Sequence, residues 1–203
     1  MSDPNDETIK TYQDNFAKFA AKTTPAPSEE FKIWLDTIIS LLPKNPIVFE
    51  IGSATGRDAR YFREHGAQVT CTDVLPEPLA LLEKDGFKTS YYDFRDEPKP
   101  EWLGAFDGFI ANAVLLHAPP EVFKKVLHTI GTIVKPNGLV AFSLKTGDGD
   151  IITLEKMNGP RYFKYYTEKG LREILSHYPY EIVSIGHADN DRWLQVILKN
   201  TLV

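Results

Sequence analysis

Hydrophobic and polar positions along the chain follow a helical period first, then a regular alternation of two periods. From Asp6 to Lys22, Ile9, Tyr12, Phe16, Phe19 and Ala20 recur near one helix face. "TTPAPS" breaks that pattern. Ser28 then stands at an N-cap position, with Glu29 and Glu30 in the positive first turn of a second helix. Phe31, Trp34, Leu35, Ile38, Ile39 and Leu42 form its stripe, and Pro43 stops it. At "PIVFEIG" the period changes to a short continuous apolar run, which predicts a strand buried on both faces. From there strand and helix signals alternate. "GRDARYFREHG" is a helix closed by Gly66, "AQVTCTD" a strand, "PEPLALLEKDG" a helix closed by Gly86, and "KTSYYDF" a strand. "AFDGFIANAVLLH" holds a fourth strand, and "PPEVFKKVLHTIGTIV" a helix with Pro120 in its first turn. "KPNG" reads as a turn, "LVAFSLK" as a fifth strand, and Thr146 to about Tyr166 as a polar loop. "TEKGLREILSHY" is a helix with Thr167 as its cap, and "YEIVSIG" and "RWLQVILKN" are the last strands.

Strands alternating with helices imply right-handed βαβ units and a parallel sheet covered on both faces. Only "HADND" separates the last two strands, too short for a crossover helix, so they form an antiparallel hairpin. The expectation is a doubly wound, Rossmann-like α/β fold. Its sheet is mostly parallel and seven-stranded, ends in that hairpin, and forms one domain over residues 1–203.

Composition adds exclusions. Of 203 residues, 42% are hydrophobic and 25% charged, enough for a full core. Lys+Arg is 23 against 28 Asp+Glu, a net charge of −5, with no clustered basic face to hold nucleic acid. One cysteine, Cys71, excludes a disulfide framework within the chain. His65, His128, His177 and His187 show no metal spacing, so no metal is expected. "MSDPNDETIK" is unlike a targeting peptide and no apolar run reaches membrane-spanning length. A cytoplasmic protein with no nucleic-acid or membrane partner is the expectation.

In doubly wound sheets ligands sit beyond the carboxyl ends of the strands, so the loop "EIGSATG" after the first strand is the candidate site. Its backbone N–H groups and the following helix N-terminus face a ligand there. The dinucleotide fingerprint G-x-G-x-x-G, begun at Gly52, would need its third glycine at Arg57. The sequence instead reads E-x-G-x-x-x-G, from Glu50 through Gly52 to Gly56. Asp73 ends the next strand, 21 residues after Gly52, where it either accepts ribose hydroxyls or caps a helix. Gly52 and Gly56 equally permit a bare turn. Glu50, in an apolar strand, needs a partner.

The E-x-G-x-x-x-G spacing resembles the first motif of class I S-adenosylmethionine-dependent methyltransferases. "YYDF", "FDGFIANAVLLHAPP", "IVKPNG" and the terminal hairpin are similar to that family's later motifs, over Val48 to Asn200. "LLHAPPEVFKKVL", "SLKTGDGD" and "RYFKYYTEKGLREIL" look like one branch of small bacterial members.

The resemblance implies that S-adenosylmethionine is bound, leaving S-adenosylhomocysteine, by Glu50, Gly52, Ser53, Ala54, Gly56, Arg57, Asp73, Val74, Asp93, Phe94, Asn112 and His117. Glu50 would bond the loop backbone or support the methionine part, Arg57 a carboxylate, and Asp93 the adenine amino group. In that family an N-terminal helix closes over the cofactor, which makes residues 1–45 a lid and Tyr12 its contact. His117, at the end of strand four, is the catalytic candidate: a general base, a group that orients substrate, or a ring packed on the cofactor. The loop carrying Lys145, Asp148, Arg161, Tyr162, Tyr165 and Tyr166 reads as a substrate wall. If Gly52 and Gly56 make the turn, Ala54 keeps a negative φ. Methyl transfer to a small-molecule acceptor is the implied function. A non-catalytic cofactor-binding protein and an NAD-dependent oxidoreductase are the alternatives.

Overall fold

The computed structural model describes residues 3–154 and 157–202. The N-terminal helices are α1 (Pro4–Lys22) and α2 (Glu29–Leu41). Asp3 caps α1 by accepting from the Asn5 amide. Ser28 stands at the N-cap of α2 without a side-chain cap bond. The alternating part runs β1 (Ile47–Ile51), α3 (Arg57–Glu64), β2 (Gln68–Asp73), α4 (Pro76–Lys84), β3 (Lys88–Tyr91), β4 (Phe106–Ala111), α5 (Pro120–Ile133) and β5 (Val134–Thr146). Then come β6 (Asp150–Thr153), β7 (Arg161–Tyr166), α6 (Glu168–Leu175), β8 (Tyr180–Ala188) and β9 (Trp193–Asn200). Thr167 caps α6 through its hydroxyl, which accepts from the Gly170 amide.

The strands β3-β2-β1-β4-β5 pair in parallel in that order. β9 lies antiparallel on the other side of β5, and β8 antiparallel beyond it. The hairpin expected at the end of the chain is therefore present. Two expectations are corrected. The segment read as a polar loop contains a second hairpin, β6–β7, whose inner strand pairs with the last residues of β5 at Lys145↔Tyr165 and Thr146↔Tyr166. The sheet therefore has nine strands among the described residues instead of seven. "KPNG" lies inside β5: Asn137 has φ +66°, and the pairing register with β4 shifts between Phe106 and Gly108, so the turn signal marks a bulge.

Alternate residues of the central strands feed two cores. Phe49, Phe109 and Phe142 face one side with Trp102, Phe106 and the apolar stripes of α5 and α6. Val48, Ile110 and Ala141 face the other, against Trp34, Leu35 and Ile38 of α2 and Phe62 of α3. α1 joins neither core. Its buried residues are Asn5, Thr8 and Thr11, and its contacts run chiefly to β7. Among the described residues no helix is long and apolar enough to cross a membrane.

Candidate functional site

The loop after β1 passes through three left-handed residues, Gly52 (φ +65°), Ala54 (φ +47°) and Gly56 (φ +78°). The expectation of a negative φ at Ala54 is overturned. Its amide donates to Asp73 Oδ2 at 3.0 Å, which fixes the peptide in this orientation, and a left-handed alanine costs roughly 1–2 kcal/mol. The glycines answer to packing as well as to φ. A Cβ on Gly52 would lie 2.5 Å from Val114 Cγ2, and one on Gly56 2.3 Å from Leu82 Cδ2. Gly52 lets the β4 side of the site close in, while Gly56 seats α3 on α4.

This loop floors a cavity of about 470 Å³ at the carboxyl ends of the parallel strands. Glu50, Gly52, Ser53, Ala54, Arg57, Asp73, Val74, Asp93, Phe94, Asn112 and His117 all line it, and Tyr12 covers it. Gly56 supports the turn without lining the cavity.

Asp73 is buried, with Oδ2 taking the Ala54 amide and Oδ1 the Leu75 amide, both at 3.0 Å. Burial pushes its carboxyl above the usual range against those two bonds. Two amides leave acceptor positions open on the carboxylate. The helix after it, α4, has Leu75 at its N-cap position and no side-chain cap bond, so Asp73 is a turn-former with spare oxygen capacity. Glu50 is 4% exposed, and its Oε2 has no hydrogen-bond partner among the described residues. Burial first, and then the nearby Asp58, push its carboxyl up to about 8.

Asp58 was not anticipated, although it stands in the first turn of α3 beside the loop. It accepts from Arg57 Nε at 2.6 Å and from Asn112 Nδ2 at 2.6 Å. Asn112 in turn accepts from Ser143 Oγ, which accepts from the Ala113 amide. Arg57 thus serves Asp58, with its guanidinium 5.7 Å from the Phe31 ring centre.

At the far wall Asp93 is buried and its carboxylate is taken up by Arg95, whose Nε lies 3.1 Å from both oxygens and whose Nη2 lies 2.7 Å from Oδ2. The Arg95 amide also donates to Oδ1. Arg95 Nη1 reaches across to Asp3 and Asp6 of α1, at 2.9 and 2.7 Å. Sequence reading missed Arg95 because its partners are 89 and 92 residues away.

His117 is buried between the cavity and β7. Its Nδ1 lies 2.6 Å from the Tyr162 carbonyl oxygen, and its Nε2 3.2 Å from the Tyr12 hydroxyl. A carbonyl only accepts, so Nδ1 carries the proton and Nε2 accepts from Tyr12. Burial, with a contribution from Arg161, holds the ring's pKa down at about 4.

The residues expected to form a substrate wall lie outside this cavity. Lys145, Arg161, Tyr162, Tyr165 and Tyr166 do not line the cavity. Lys145 sits 3.8 Å from the Trp193 ring centre, Tyr165 packs beside Gly147, and Tyr162 and Tyr166 are buried. Arg161 lies behind Tyr12, donating to its hydroxyl at 3.4 Å. The β6–β7 hairpin backs α1 instead. The Tyr162 amide donates to Thr8 Oγ1, and Thr11 Oγ1 donates to the Pro160 carbonyl. The wall itself is the face of α1 bearing Asn5, Ile9, Tyr12, Phe16 and Phe19.

This cavity suits a ligand with an aromatic part, hydroxyl donors and positive charge. An orphaned buried carboxyl oxygen at Glu50, a glycine cradle at Gly52, spare acceptors on Asp73 and an aromatic roof each match one of those features. Among the described residues no group of three His, Cys, Asp or Glu side chains is placed to hold a metal ion.

A family model described as a methyltransferase domain matches residues 9–185. No curated protein sequence matches the chain. Among solved structures, 1,6-didemethyltoxoflavin-N1-methyltransferase of Burkholderia thailandensis superposes with a TM-score of 0.75 at 20% identity, over 100% of this chain and 92% of that one. That structure holds 1,6-didemethyltoxoflavin and S-adenosylhomocysteine. DhpI, solved as an SAH complex, gives 0.72 at 19% identity, over 97% and 96% of the two chains. A Rhodobacter sphaeroides protein with a provisional Zn-dependent alcohol dehydrogenase name gives 0.75 at 14% identity, over 98% and 100%. Likeness at these identities establishes the fold alone.

Two outcomes follow from the loop. Raising the folded-state pKa of Glu50 above its unfolded value removes stability as pH climbs from about 4.5 to 8, because the unfolded chain releases the proton first. Glu50→Gln should therefore stabilise the ligand-free protein at pH 8, by roughly 3–5 kcal/mol at most, and leave it little changed at pH 4.5. Urea unfolding at the two pH values checks this; lower stability at pH 8 would show that the carboxyl is ionised and paired. Ala54→Gly, which relieves the left-handed alanine, should raise stability by up to ~1 kcal/mol. A clear loss in the same assay would mean that the alanine methyl packs usefully.

Proposed function

The chain belongs to the methyltransferase-domain family, and on that footing we propose that it transfers a methyl group from S-adenosylmethionine to a small-molecule acceptor beneath α1. The observation that carries this reading is the acidic cavity floor. Asp73 offers spare acceptors, and Glu50 offers a buried oxygen with no partner among the described residues. When bound, S-adenosylmethionine supplies a methyl group already activated by its sulfonium charge.

The chain's own task is then to hold, align and keep dry. Asp73 accepts from the ribose hydroxyls. Glu50 ionises against the ammonium end, which supplies the positive charge that the ligand-free site lacks. Asp58, fixed by Arg57 and Asn112, adds a second negative charge beside it. Tyr12, Phe16 and Phe19 exclude water from above. Proximity within such a site supplies much of the rate for an in-line displacement.

His117 takes the orienting role in preference to that of general base. A ring whose pKa is about 4 binds protons poorly at neutral pH. Its Nε2 instead accepts from the Tyr12 hydroxyl, whose oxygen also accepts from Arg161, so the two residues fix the Tyr12 ring over the cavity. A net charge of −5 and a cavity roofed by the chain's own helix favour a small acceptor over nucleic acid. The bound small molecule of the Burkholderia relative supports the same class.

Thermal denaturation with S-adenosylmethionine, S-adenosylhomocysteine and NAD tests the reading. At 100 times its dissociation constant a ligand adds about 2.7 kcal/mol, and the two methionine cofactors should do so. Stabilisation by NAD alone would remove the proposal. Asp73→Ala should weaken S-adenosylhomocysteine binding roughly 10- to 100-fold, as two charge-assisted hydrogen bonds leave; calorimetry reads this directly. With an acceptor found by mass-spectrometric screening, turnover should show no inflection between pH 5.5 and 8 that depends on His117. An inflection near 6.5 that vanishes in His117→Asn would restore the general base.

A further inference from the structure

The first turn of α1 carries features that neither the fold nor the methyl-transfer chemistry requires. Asp3 and Asp6 flank Asn5 and both bind Arg95, which also grips Asp93 on the cavity wall. One guanidinium therefore balances three carboxylates. Two belong to the helix over the cavity and one to the wall beneath it.

Between them Asn5 is 2% exposed and lines the cavity, and its Nδ2 has no hydrogen-bond partner among the described residues. A buried amide nitrogen without a partner is costly, and native structures keep few of them. Asn5, Ile9, Tyr12, Phe16 and Phe19 are spaced to share one helix face, so the amide points where the aromatic rings point.

The position of Asn5 along α1 selects the part of the ligand it meets. Tyr12, at His117, lies seven residues on, about 10 Å along the axis. Asn5 is at the other end, between Asp3 and Asp6, which Arg95 ties to Asp93 just beyond β3. With the ribose on Asp73, the base of the adenosyl group falls at that end. Asp93 was the expected partner for its amino group, yet both Asp93 oxygens are held by Arg95. A carboxamide presents a donor and an acceptor side by side, the pairing that matches adenine N7 and N6.

We propose that the first turn of α1 is an adenine-binding element, in which Arg95 latches the turn to the cavity wall and the Asn5 carboxamide hydrogen-bonds the base. This rests on the cofactor assignment made above. In the ligand-free protein the Asn5 amide nitrogen has no partner among the described residues, and the ligand supplies one. Removing Arg95 would leave three like charges to push the turn off the wall.

The test uses the full chain and S-adenosylhomocysteine. Asn5→Leu keeps the branched heavy-atom shape of the side chain and removes both polar atoms. It should weaken S-adenosylhomocysteine binding roughly tenfold by calorimetry while the melting temperature of the ligand-free protein stays level or rises. Asp3→Asn with Asp6→Asn leaves the exposed helix end folded and its cap intact. It should raise the S-adenosylhomocysteine dissociation rate roughly 3- to 10-fold, as two partly exposed ion pairs are lost. It should also speed amide exchange across residues 4–16 and reduce the salt dependence of dissociation that the ion pairs give the parent protein on this reading. Unchanged affinity in Asn5→Leu would overturn the adenine contact. Dissociation and exchange equal to the parent in the double variant would overturn the latch. If the parent protein does not bind S-adenosylhomocysteine at all, the cofactor assignment itself fails, an outcome distinct from either.

Discussion

The Asp73 carboxylate is the tie on which the site depends. One oxygen holds the Ala54 amide of the loop after β1, and the other holds the Leu75 amide of the turn after β2. Two neighbouring βα turns are thereby locked to each other by a single buried anion. The lock sets the left-handed conformation at Ala54, and so decides where the loop amides and the α3 N-terminus sit. It also explains why the position tolerates alanine. A strained φ persists when surrounding bonds over-determine it, and this amide has a charged acceptor waiting. Gly52 and Gly56 on either side are held to stricter limits, because Val114 and Leu82 occupy the space a side chain would need.

Around that anion the site is built negative. Glu50, Asp58 and Asp73 are all buried at one end of the cavity, and only Asp58 has a cation in hand. Desolvation and mutual repulsion make this arrangement unfavourable for the ligand-free chain, which is why the Glu50 carboxyl retains its proton to about pH 8. A cationic ligand reverses the balance. The same electrostatics weigh against a dinucleotide, whose phosphates would add negative charge beside three acids.

Much of this was legible in the sequence because it depends on local spacing. The loop, the acid at the end of β2, the acid at the end of β3 and His117 each follow a strand end, and the βαβ rule brings strand ends together. The misreadings have a common cause in long-range partners. Arg95 escaped notice because Asp3 and Asp6 lie some ninety residues away. Asp58 carries no local mark in the sequence, because its partner Asn112, and Ser143 behind that, come from the ends of β4 and β5 more than fifty residues on. The β6–β7 hairpin was obscured by Gly147, Gly149, Gly159 and Pro160, which punctuate it like a loop, and by strands whose outer partner is solvent. Its tyrosines, expected at a substrate surface, lie outside the cavity lining, and Tyr162 and Tyr166 are buried.

The polarity of α1 is reversed from that of an ordinary packed helix. Its apolar stripe of Ile9, Tyr12, Phe16 and Phe19 is only half-buried and faces the cavity, while its fully buried residues, Asn5, Thr8 and Thr11, are polar. Threonine hydroxyls hold it to the hairpin and Arg95 holds its first turn, so its attachments are hydrogen bonds and ions. Such contacts exchange readily with water and contribute little net stability each. The apolar burial that normally seats a helix is left for whatever fills the cavity to provide. On the proposed function, a ligand that fills the cavity would supply that apolar burial, and seating of α1 would then be coupled to occupancy of the site.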